Sequence, residues 1–566
     1  MIVSRRERQI SDTRLLTLLA GSVSISSFLF YFRHGWTLLY GDSVAHINIA
    51  RRVFDSLTPG PLQLGTVWLP LPHLLMMPLL VSDSAWQSGL GGSIPSLVAF
   101  IATTVGVYRL VLEIFSTDSE PSISTRLFAW IAAVIVAANP SLMYLQTTAM
   151  TEPLYLAFFT WAAVFFQRFV ASLSHQIHDM GRARDKRNLQ TANYSALTKC
   201  GFCLAAAAFT RYDGWFATFV FIAVTIAILI QHRASKTSGD TDLQRAVRNF
   251  ILIGAAVPAL WLGYNGIIYR NPLEFANGPY SAKAIEQRTS RPGVPPHPGA
   301  GNPFVAAQYF FKSAELNLGE GVWQKVWIIF ALVGMLLCIR NRSLLPLLLL
   351  WIPLPFYALS VAYSGVPVFV PSWWPFSFYN ARYGIELLPA FAVFSSVAAH
   401  FLYSRSTTPA AKAAIVILTF LFVIGSYASE WHVQPISFRE AWANSRMRLA
   451  LETELAANLR KLPPDSTLLM YLGDHVGALQ QAGIPLRRVI NEGNHRTWKR
   501  PTDPEGLWEQ SLADPGRYAE FAIGFDGDPV SASARQHNLR SILIVETPGQ
   551  PAATIYLARP QGYLPR

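Results

Sequence analysis

The chain has 566 residues, of which 51% are hydrophobic and 14% are charged, and its mean hydropathy is +0.28. Soluble domains carry about 25% charged residues, so this composition excludes an ordinary soluble enzyme. Residues 1–429 contain 31 Lys and Arg but only 19 Asp and Glu, whereas residues 430–566 contain 15 basic and 15 acidic residues. The net charge of +12 therefore comes entirely from residues 1–429. An excess of Lys and Arg is typical of the cytoplasmic loops of membrane proteins, and we expect no nucleic-acid partner.

Apolar runs of about 20 residues, long enough to cross a bilayer, recur through the first three quarters of the sequence. The sequence TRYDG interrupts the apolar region 195–230, which we interpret as two short spans that meet at the outer face. About eleven transmembrane helices are predicted, at residues 15–32, 94–115, 126–145, 154–170, 195–210, 214–230, 250–269, 326–339, 343–362, 385–403 and 411–428.

Basic residues at the span ends predict the orientation, because they fall on one side of the membrane if every span crosses once. They are Arg5, Arg6, Arg8, Arg14, Arg182, Arg184, Lys186, Arg187, Arg233, Lys236, Arg245, Arg248, Arg340, Arg342, Arg405 and Lys412. We therefore expect a multi-pass protein of the cell membrane with a cytoplasmic N-terminus. The first apolar run lacks a small-residue cleavage site and is expected to remain as a helix.

Two domains are expected. The first is a transmembrane domain over residues 1–429 with long outer loops at 33–93 and 271–322, the latter carrying a flexible Pro/Gly tract typical of lids. The second is an extracytoplasmic α/β domain over residues 430–566, because its helix-like and strand-like runs alternate.

The first outer loop contains two apolar segments. The stretch SVAHINIARRVFDSL predicts an amphipathic helix suited to the membrane interface. The next segment, WLPLPHLLMMPLL, carries His73 and too many prolines for a full span, so we expect an interfacial or re-entrant piece. The apolar face of the first stretch would comprise Val44, Ile47, Ile49, Val53, Phe54 and Leu57.

Asp42 follows the first span, in the sequence LLYGDSVAH. Its structural alternative is an N-cap, in which Asp42 or Ser43 accepts from the first amides of the next helix. Its functional interpretation is a carboxylate held at the membrane surface to accept a proton from an incoming hydroxyl. His46 lies one turn on, on the same helix face, and could orient Asp42 or share a metal ion with it.

Glu152 opens the fourth predicted span, in TTAMTEPLYLAFF. An acid followed by proline at this point suits the start of a helix and can be purely structural. The predicted topology nevertheless places Glu152 on the same face of the membrane as Asp42. Two carboxylates from different outer loops can form one site, and charged groups near the bilayer are functional candidates by default.

Outer arginines are candidates for holding a lipid phosphate. The ones best placed are Arg51, Arg52, Arg211 and Arg382, with Asp213 beside Arg211 in FTRYDGW. The structural alternative for Arg211 and Asp213 is an ion pair that fixes a tight turn. For Arg382, it is an i,i+4 pair with Glu386.

This layout resembles the GT-C superfamily of membrane glycosyltransferases, nearest to its protein-mannosyltransferase-like and aminoarabinose-transferase-like branch. The features that carry the resemblance are the first-loop acid, the arginine-bearing helix GDSVAHINIARRVFDSL, the Pro/aromatic stretch GTVWLPLPHLL, the acid in MTEPLYLAFF and the outer C-terminal domain. The resemblance implies a mainly α, GT-C-type membrane protein that moves a sugar from a polyprenyl-phosphate carrier at the outer leaflet and inverts its anomeric centre.

By position, Asp42 matches the first-loop acid of this superfamily, its presumed catalytic base, and Glu152 matches the second acid at the outer end of span four. Many relatives have Asp-Glu where this sequence has Asp42 and Ser43. The candidate substrate-binding residues are His46, Arg51, Arg52, His73, Arg211, Asp213 and Arg382.

The resemblance also implies a polyprenyl-phosphate sugar donor, contact with membrane lipid, and a glycan, lipid or protein acceptor. The sequence indicates no cofactor, and it leaves open whether the protein binds a divalent metal ion. A polymerase or ligase of lipid-linked glycans is the nearer alternative function. A lipid or glycan transporter is disfavoured, because the chain shows no inverted repeat and its candidate residues lie on one face of the membrane.

Overall fold

A computed structural model describes residues 5–115, 122–178, 186–234, 241–289, 293, 295–473, 475–494 and 506–559. The helices up to residue 433 are α1 (Arg5–Arg33), α2 (Gly41–Arg52), α3 (Leu71–Met76), α4 (Asp83–Gln87), α5 (Leu90–Phe115), α6 (Ile123–Ala137), α7 (Pro140–Leu145), α8 (Glu152–His178), α9 (Lys186–Thr210), α10 (Tyr212–Ala234), α11 (Thr241–Ile268), α12 (Glu274–Asn277), α13 (Ala282–Thr289), α14 (Pro303–Leu316), α15 (Val322–Arg340), α16 (Pro353–Tyr363), α17 (Leu388–Arg405) and α18 (Pro409–Val433).

The remaining helices are α19 (Ile436–Leu459), α20 (Gly477–Ala482), α21 (Leu507–Ala513), α22 (Pro515–Tyr518) and α23 (Pro529–Gln536). The strands are β1 (Leu468–Met470), β2 (Val489–Ile490), β3 (Phe521–Phe525), β4 (Arg540–Val545) and β5 (Ala553–Leu557). Short 3₁₀ helices occupy Pro61–Leu64, Met77–Leu80, Arg342–Trp351, Ala381–Leu387, Leu486–Arg488 and Glu492–Asn494.

Within the described residues, nine helical segments are long and apolar enough to cross a membrane, so the expected multi-pass architecture is confirmed. The count of eleven stays a prediction. Two further predicted spans correspond to α6 and to the second half of α9. The nine segments are Ile10–Arg33, Leu90–Phe115, Glu152–Leu173, Tyr212–Gln231, Asp242–Ile268, Val322–Arg340, Leu344–Tyr363, Ala381–Arg405 and Pro409–Leu459.

The predicted span 126–145 is not one helix, because α6 ends at Ala137 and α7 starts afresh at Pro140. Asn139 makes the break, since its side chain accepts the backbone N–H of Leu142 at 2.9 Å. Proline at the first position of α7 does not destabilise the helix, because an N–H at that position would have no hydrogen-bond partner within the helix.

Small residues let the membrane helices approach one another closely. A Cβ at Gly334 of α15 would clash with the backbone of Phe394 in α17, and one at Gly106 of α5 would lie 2.9 Å from Thr160 of α8. These contacts fix the helices whose outer ends carry the candidate residues.

The amphipathic segment forms α2, but the expectation that its apolar face lies in the membrane interface is wrong for half of that face. Val44, Ile47 and Ile49 are buried inside the protein, whereas Phe54 and Leu57 are exposed. Gly92 of α5 lies against Ile47, and the C-terminal domain covers a further part of α2, with Asn48 donating to the Gln480 side chain at 2.7 Å. The Pro-rich segment that follows forms only α3 and a short 3₁₀ turn.

The C-terminal domain contains a five-stranded mixed sheet in the order β2-β1-β3-β5-β4, which agrees with the expected α/β domain. Strand β1 runs parallel to β2 and β3, whereas β5 is antiparallel to β3 and β4. Helix α19 connects this sheet to α18 and packs on α7. The boundary between residues 429 and 430 stays a prediction.

Asp55 joins the C-terminal domain to the end of α2. Its buried carboxylate accepts from Arg51 Nε at 2.8 Å and Arg487 Nη1 at 3.2 Å. The backbone N–H groups of Leu486 and Arg487 also donate to it, each at 3.3 Å. Four donors around one buried carboxylate make this contact a fixed dock between the two domains.

We expect Asp55→Asn to destabilise the protein by about 3–5 kcal/mol, because it leaves buried Arg51 short of its counter-ion. Thermal unfolding in detergent measures the effect. Asp83→Asn is the matched control, since exposed Asp83 bonds the same arginine at 2.6 Å and an exposed pair contributes only about 0–1 kcal/mol. Equal losses for the two variants would contradict the docking role of Asp55.

Candidate functional site

The site lies where the ends of several helices meet. Asp42 is in the first turn of α2, and Glu152 is the first residue of α8. Arg382 belongs to the 3₁₀ helix that precedes α17, and Glu440 to α19. Local sequence sets two of these positions: Pro153 suits the first turn of α8, and Leu388-Pro389 starts α17 directly after the 3₁₀ segment.

Arg382 bonds three carboxylates, each through a different nitrogen of its guanidinium. The Nη2 atom lies 2.6 Å from Asp42 Oδ2, Nε lies 3.1 Å from Glu152 Oε1, and Nη1 lies 2.7 Å from Glu440 Oε1. The backbone N–H of Arg382 also donates to Glu440, at 2.9 Å. The side chains of Glu152 and Glu440 are 0% and 1% exposed, whereas that of Asp42 is 46% exposed. Asp42 is therefore the accessible member of the set.

The capping alternative for Asp42 and Ser43 is wrong. Tyr40 occupies the cap position of α2 and makes no side-chain cap bond. The hydroxyl of Ser43 instead accepts the backbone N–H of Ala149 at 2.9 Å, which ties α2 to the segment just before α8. Asp42 is thus left free to face Arg382.

The expected i,i+4 pair between Arg382 and Glu386 is also wrong. Residues 381–387 form a 3₁₀ helix with about three residues per turn, so side chains four apart point about 120° away from each other. Arg382 consequently points to Asp42, and Glu386 points to Arg211, whose Nη2 atom lies 3.3 Å from Glu386 Oε1.

Arg211 occupies the junction between α9 and α10, where a second cluster forms. Its Nε atom lies 2.9 Å from Asp213 Oδ2, so the predicted ion pair in this turn exists. Its other nitrogens reach Thr151 Oγ1 at 2.9 Å and Tyr357 Oη at 2.7 Å. Glu152 Oε1 lies 3.3 Å from Arg211 and thereby joins the two clusters.

Tyr383 lies between the two arginines, and its ring centroid is 4.9 Å from each guanidinium carbon. Stacking on an aromatic face favours a delocalised cation and restricts its rotation. The connected network holds five carboxylates and two guanidinium groups, a formal charge of −3 when all are ionised. The carboxylates of this network are Asp42, Glu152, Asp213, Glu386 and Glu440.

The described residues contain no group of three or more His, Cys, Asp or Glu side chains arranged to hold a metal ion. His46, which we considered as a metal partner of Asp42, instead lies against His73, with Nδ1 of His46 2.9 Å from Nε2 of His73. Trp68 packs on the His46 ring at a centroid distance of 4.6 Å. The paired histidines therefore pack α2 against α3.

Burial lowers the pKa of His46 from its usual value of 6.5 to about 4, although Asp42 acts in the opposite direction. Burial, with His46 as a neighbour, also lowers the pKa of His73 well below its usual value. Both rings are thus neutral at physiological pH. One ring must then donate to the other, which suits a packed structural pair.

Because the pKa of His46 falls on folding, the unfolded chain binds more protons than the folded chain between pH 6.5 and pH 4. We expect the contribution of His46 to folding stability to fall by about 2 kcal/mol between pH 7 and pH 5. Thermal unfolding in detergent across this range should show a shallower pH dependence for His46→Gln than for the wild-type protein.

The matched control is His432→Gln, which removes an exposed histidine from the end of α18. Its pH dependence should equal that of the wild-type protein. An unchanged slope in His46→Gln would contradict the buried, neutral state of His46.

Two predicted arginines lie outside this network. Arg51 is buried, and its nitrogens bond Asp55, Asp83 and the carbonyl oxygens of Leu80 and Val81. Arg52 is partly exposed, and its Nε atom donates to the carbonyl oxygen of Gln63 at 2.8 Å. Arg51 is thus part of the domain dock, while Arg52 lies beside the outer loop 61–65.

Sequence reasoning missed Glu440, Tyr357 and Tyr383. Glu440 follows Arg439 in a helix predicted to belong to the outer domain, and its partner is 58 residues away in the chain. Tyr357 lies in an apolar span, where its hydroxyl comes within 2.7 Å of Glu386. A polar tip within an apolar segment was the available signal, but the partner is visible only in three dimensions.

Comparisons with known proteins agree with this architecture. Residues 114–268 match the sequence model of the family described as dolichyl-phosphate-mannose-protein mannosyltransferase. No curated protein sequence matches the chain.

Two similar solved structures are ArnT from Cupriavidus metallidurans bound to undecaprenyl phosphate, and the oligosaccharyltransferase AglB from Archaeoglobus fulgidus with an inhibitory peptide and a dolichol-phosphate. The first is 12% identical with a TM-score of 0.52, and the match covers 94% of this chain and 97% of ArnT. The second is 12% identical with a TM-score of 0.50, covering 98% of this chain and 75% of AglB. The chain therefore has the same fold as ArnT and AglB, which agrees with the fold that the resemblance of its sequence implied.

Proposed function

We propose that this protein transfers a sugar from a polyprenyl-phosphate donor to an acceptor hydroxyl at the outer face of the cell membrane, with inversion. Asp42 is the general base, and Arg382 holds the donor phosphate. The observation that carries the proposal is the pairing of a half-exposed carboxylate with a guanidinium whose other two edges are held by buried acids. Such a pair presents a base and an anion-binding cation to one incoming substrate.

The reaction follows from these two groups. The acceptor oxygen attacks C1 of the sugar as the bond from C1 to the phosphate oxygen breaks, and the phosphate leaves with the bonding electrons. The acceptor proton passes to Asp42. Positive charge develops on the sugar ring and negative charge on the phosphate, so a fixed cation at the phosphate stabilises the transition state.

Glu152 acts as a positioning residue in this scheme. Its carboxylate is fully buried and bridges Arg382 and Arg211, at 3.1 and 3.3 Å from its Oε1 atom. A carboxylate held in this way orients both cations but has no open path to an acceptor hydroxyl. The exposure of Asp42 therefore favours it as the base.

Two further observations support the donor class. The similar structures of ArnT and AglB were solved with undecaprenyl phosphate and with a dolichol-phosphate, and the matching family model is described by a dolichyl-phosphate sugar. Asp42 and Glu152 lie at the same end of their spans, opposite the predicted cytoplasmic basic residues. This arrangement supports a cytoplasmic N-terminus and an extracytoplasmic site and C-terminal domain. The acceptor is a glycan, a lipid or a protein.

We expect Asp42→Asn to insert normally and to lose transfer by a factor of about 10²–10⁴, the usual contribution of a general base. The measurement is transfer from a panel of radiolabelled polyprenyl-phosphate sugars by purified protein in vesicles. Asp83→Asn, which lies in the domain dock, should transfer at the wild-type rate. Retained activity in Asp42→Asn would remove Asp42 from the base role.

We expect Arg382→Lys to raise the donor KM by at least about tenfold, because a single ammonium group lacks the planar guanidinium edges that bond Glu152, Glu440 and a phosphate at the same time. Lysine keeps the positive charge among the buried acids, so the variant is better suited to folding than Arg382→Ala. Donor titration with the same vesicles gives KM and turnover separately. Unchanged donor KM and turnover would exclude Arg382 from phosphate binding.

A further inference from the structure

We propose that Asp42 and the donor phosphate compete for one edge of Arg382, so that donor binding itself frees the base. The inference rests on the proposed function, and it adds an order of steps in which the donor binds before Asp42 becomes available as the base. In the structure, Asp42 occupies the Nη2 edge of Arg382 at 2.6 Å. A phosphate oxygen takes this place when the donor binds, and the displaced carboxylate then accepts the acceptor proton.

The geometry makes the Nη2 edge the exchangeable one. Glu152 and Glu440 are buried and hold the Nε and Nη1 atoms. Glu440 also accepts the backbone N–H of Arg382, which makes its separation from the arginine doubly costly. Asp42 is the only one of the three carboxylates with substantial exposure, so water can solvate it when it leaves.

The guanidinium itself cannot rotate away. Its central carbon lies 4.9 Å from the ring centroids of both Tyr40 and Tyr383. Tyr40 is fixed in turn, because its hydroxyl donates to the carbonyl oxygen of Ser437 at 2.6 Å. With the plane held by two rings and two edges held by buried acids, exchange must occur by departure of Asp42.

The same competition helps to release the product. When the bond from C1 to the phosphate oxygen breaks, the phosphate gains one negative charge and Asp42 gains the acceptor proton. A protonated Asp42 no longer competes for Arg382, so the product phosphate stays bound until Asp42 returns its proton to water. The restored carboxylate then takes back the Nη2 edge and displaces the product.

This arrangement makes an unusual prediction for Asp42→Asn. The substitution removes the competitor but leaves Arg382 in place, so the inactive variant should bind polyprenyl phosphate more tightly than the wild-type protein. An uncharged amide oxygen bonds a guanidinium more weakly than a carboxylate does, and we expect a gain of roughly tenfold in affinity. The probe is undecaprenyl phosphate, titrated calorimetrically into the full-length protein in detergent.

Two control variants separate competition from general charge repulsion. Asp213→Asn removes a carboxylate from the same network, but its partners are Arg211 and Tyr357 rather than Arg382. Asp83→Asn breaks an aspartate–arginine contact of the same 2.6 Å length in the domain dock. We expect neither control to tighten undecaprenyl phosphate binding.

Each outcome decides between the hypotheses. Tighter binding of undecaprenyl phosphate by Asp42→Asn alone supports the exchange, in which the phosphate replaces Asp42 on Arg382. Equal or weaker binding by Asp42→Asn overturns it, while the proposed function survives if the wild-type protein binds and Arg382→Lys does not. Equal tightening by Asp213→Asn attributes the effect to charge repulsion and also overturns the proposed competition. No binding by the wild-type protein contradicts the proposed function, and the exchange fails with it.

Discussion

The buried guanidinium of Arg382 is the group on which the arrangement of the surrounding helix ends depends. A cation removed from water is costly unless opposite charges and hydrogen bonds compensate it, and here three carboxylates from three separate helices do so. Each of those helices must therefore arrive at one point. The positions of α2, α8 and α19 are set by this requirement together with the apolar packing beneath it.

The compensation is more than complete, since three acids surround Arg382 and Glu152 is shared with Arg211. Excess negative charge is unfavourable in a partly buried network when all of its groups are ionised, because like charges repel more strongly at low dielectric. Of the three carboxylates around Arg382, Asp42 is the exposed one, so water solvates its charge.

The sequence predicts that the principal residues share one face of the membrane, but of their contacts it predicts correctly only the pair of Arg211 with Asp213. Asp42, Glu152, Arg211, Asp213 and Arg382 were predicted to be outer residues from span order alone, and the structure brings them into one network. Their partners depended on features with weak sequence signals. A 3₁₀ helix at 381–387 separated Arg382 from Glu386, and periodicity could not distinguish it from the start of α17.

The same limit explains the errors at α2. Its amphipathic pattern predicts a helix with one apolar face, which the structure confirms, but the pattern does not indicate what covers that face. The cover is shared between α5, where Gly92 lies against Ile47, and the C-terminal domain, which lies more than 400 residues away in the sequence and bonds Asn48 through Gln480. Membrane lipid and a folded domain both accept an apolar surface, so only the three-dimensional contacts tell them apart.

Glu440 links the C-terminal domain directly to the Arg382 network. Helix α19 carries it and leads into β1, while Asp55 attaches the same domain to the far end of α2, the helix whose first turn contains Asp42. The domain therefore holds both Arg382 and the helix of Asp42 in place. A chain shortened to its membrane helices would lose a buried counter-ion of Arg382, so the C-terminal domain is an integral part of this network and not a detachable module.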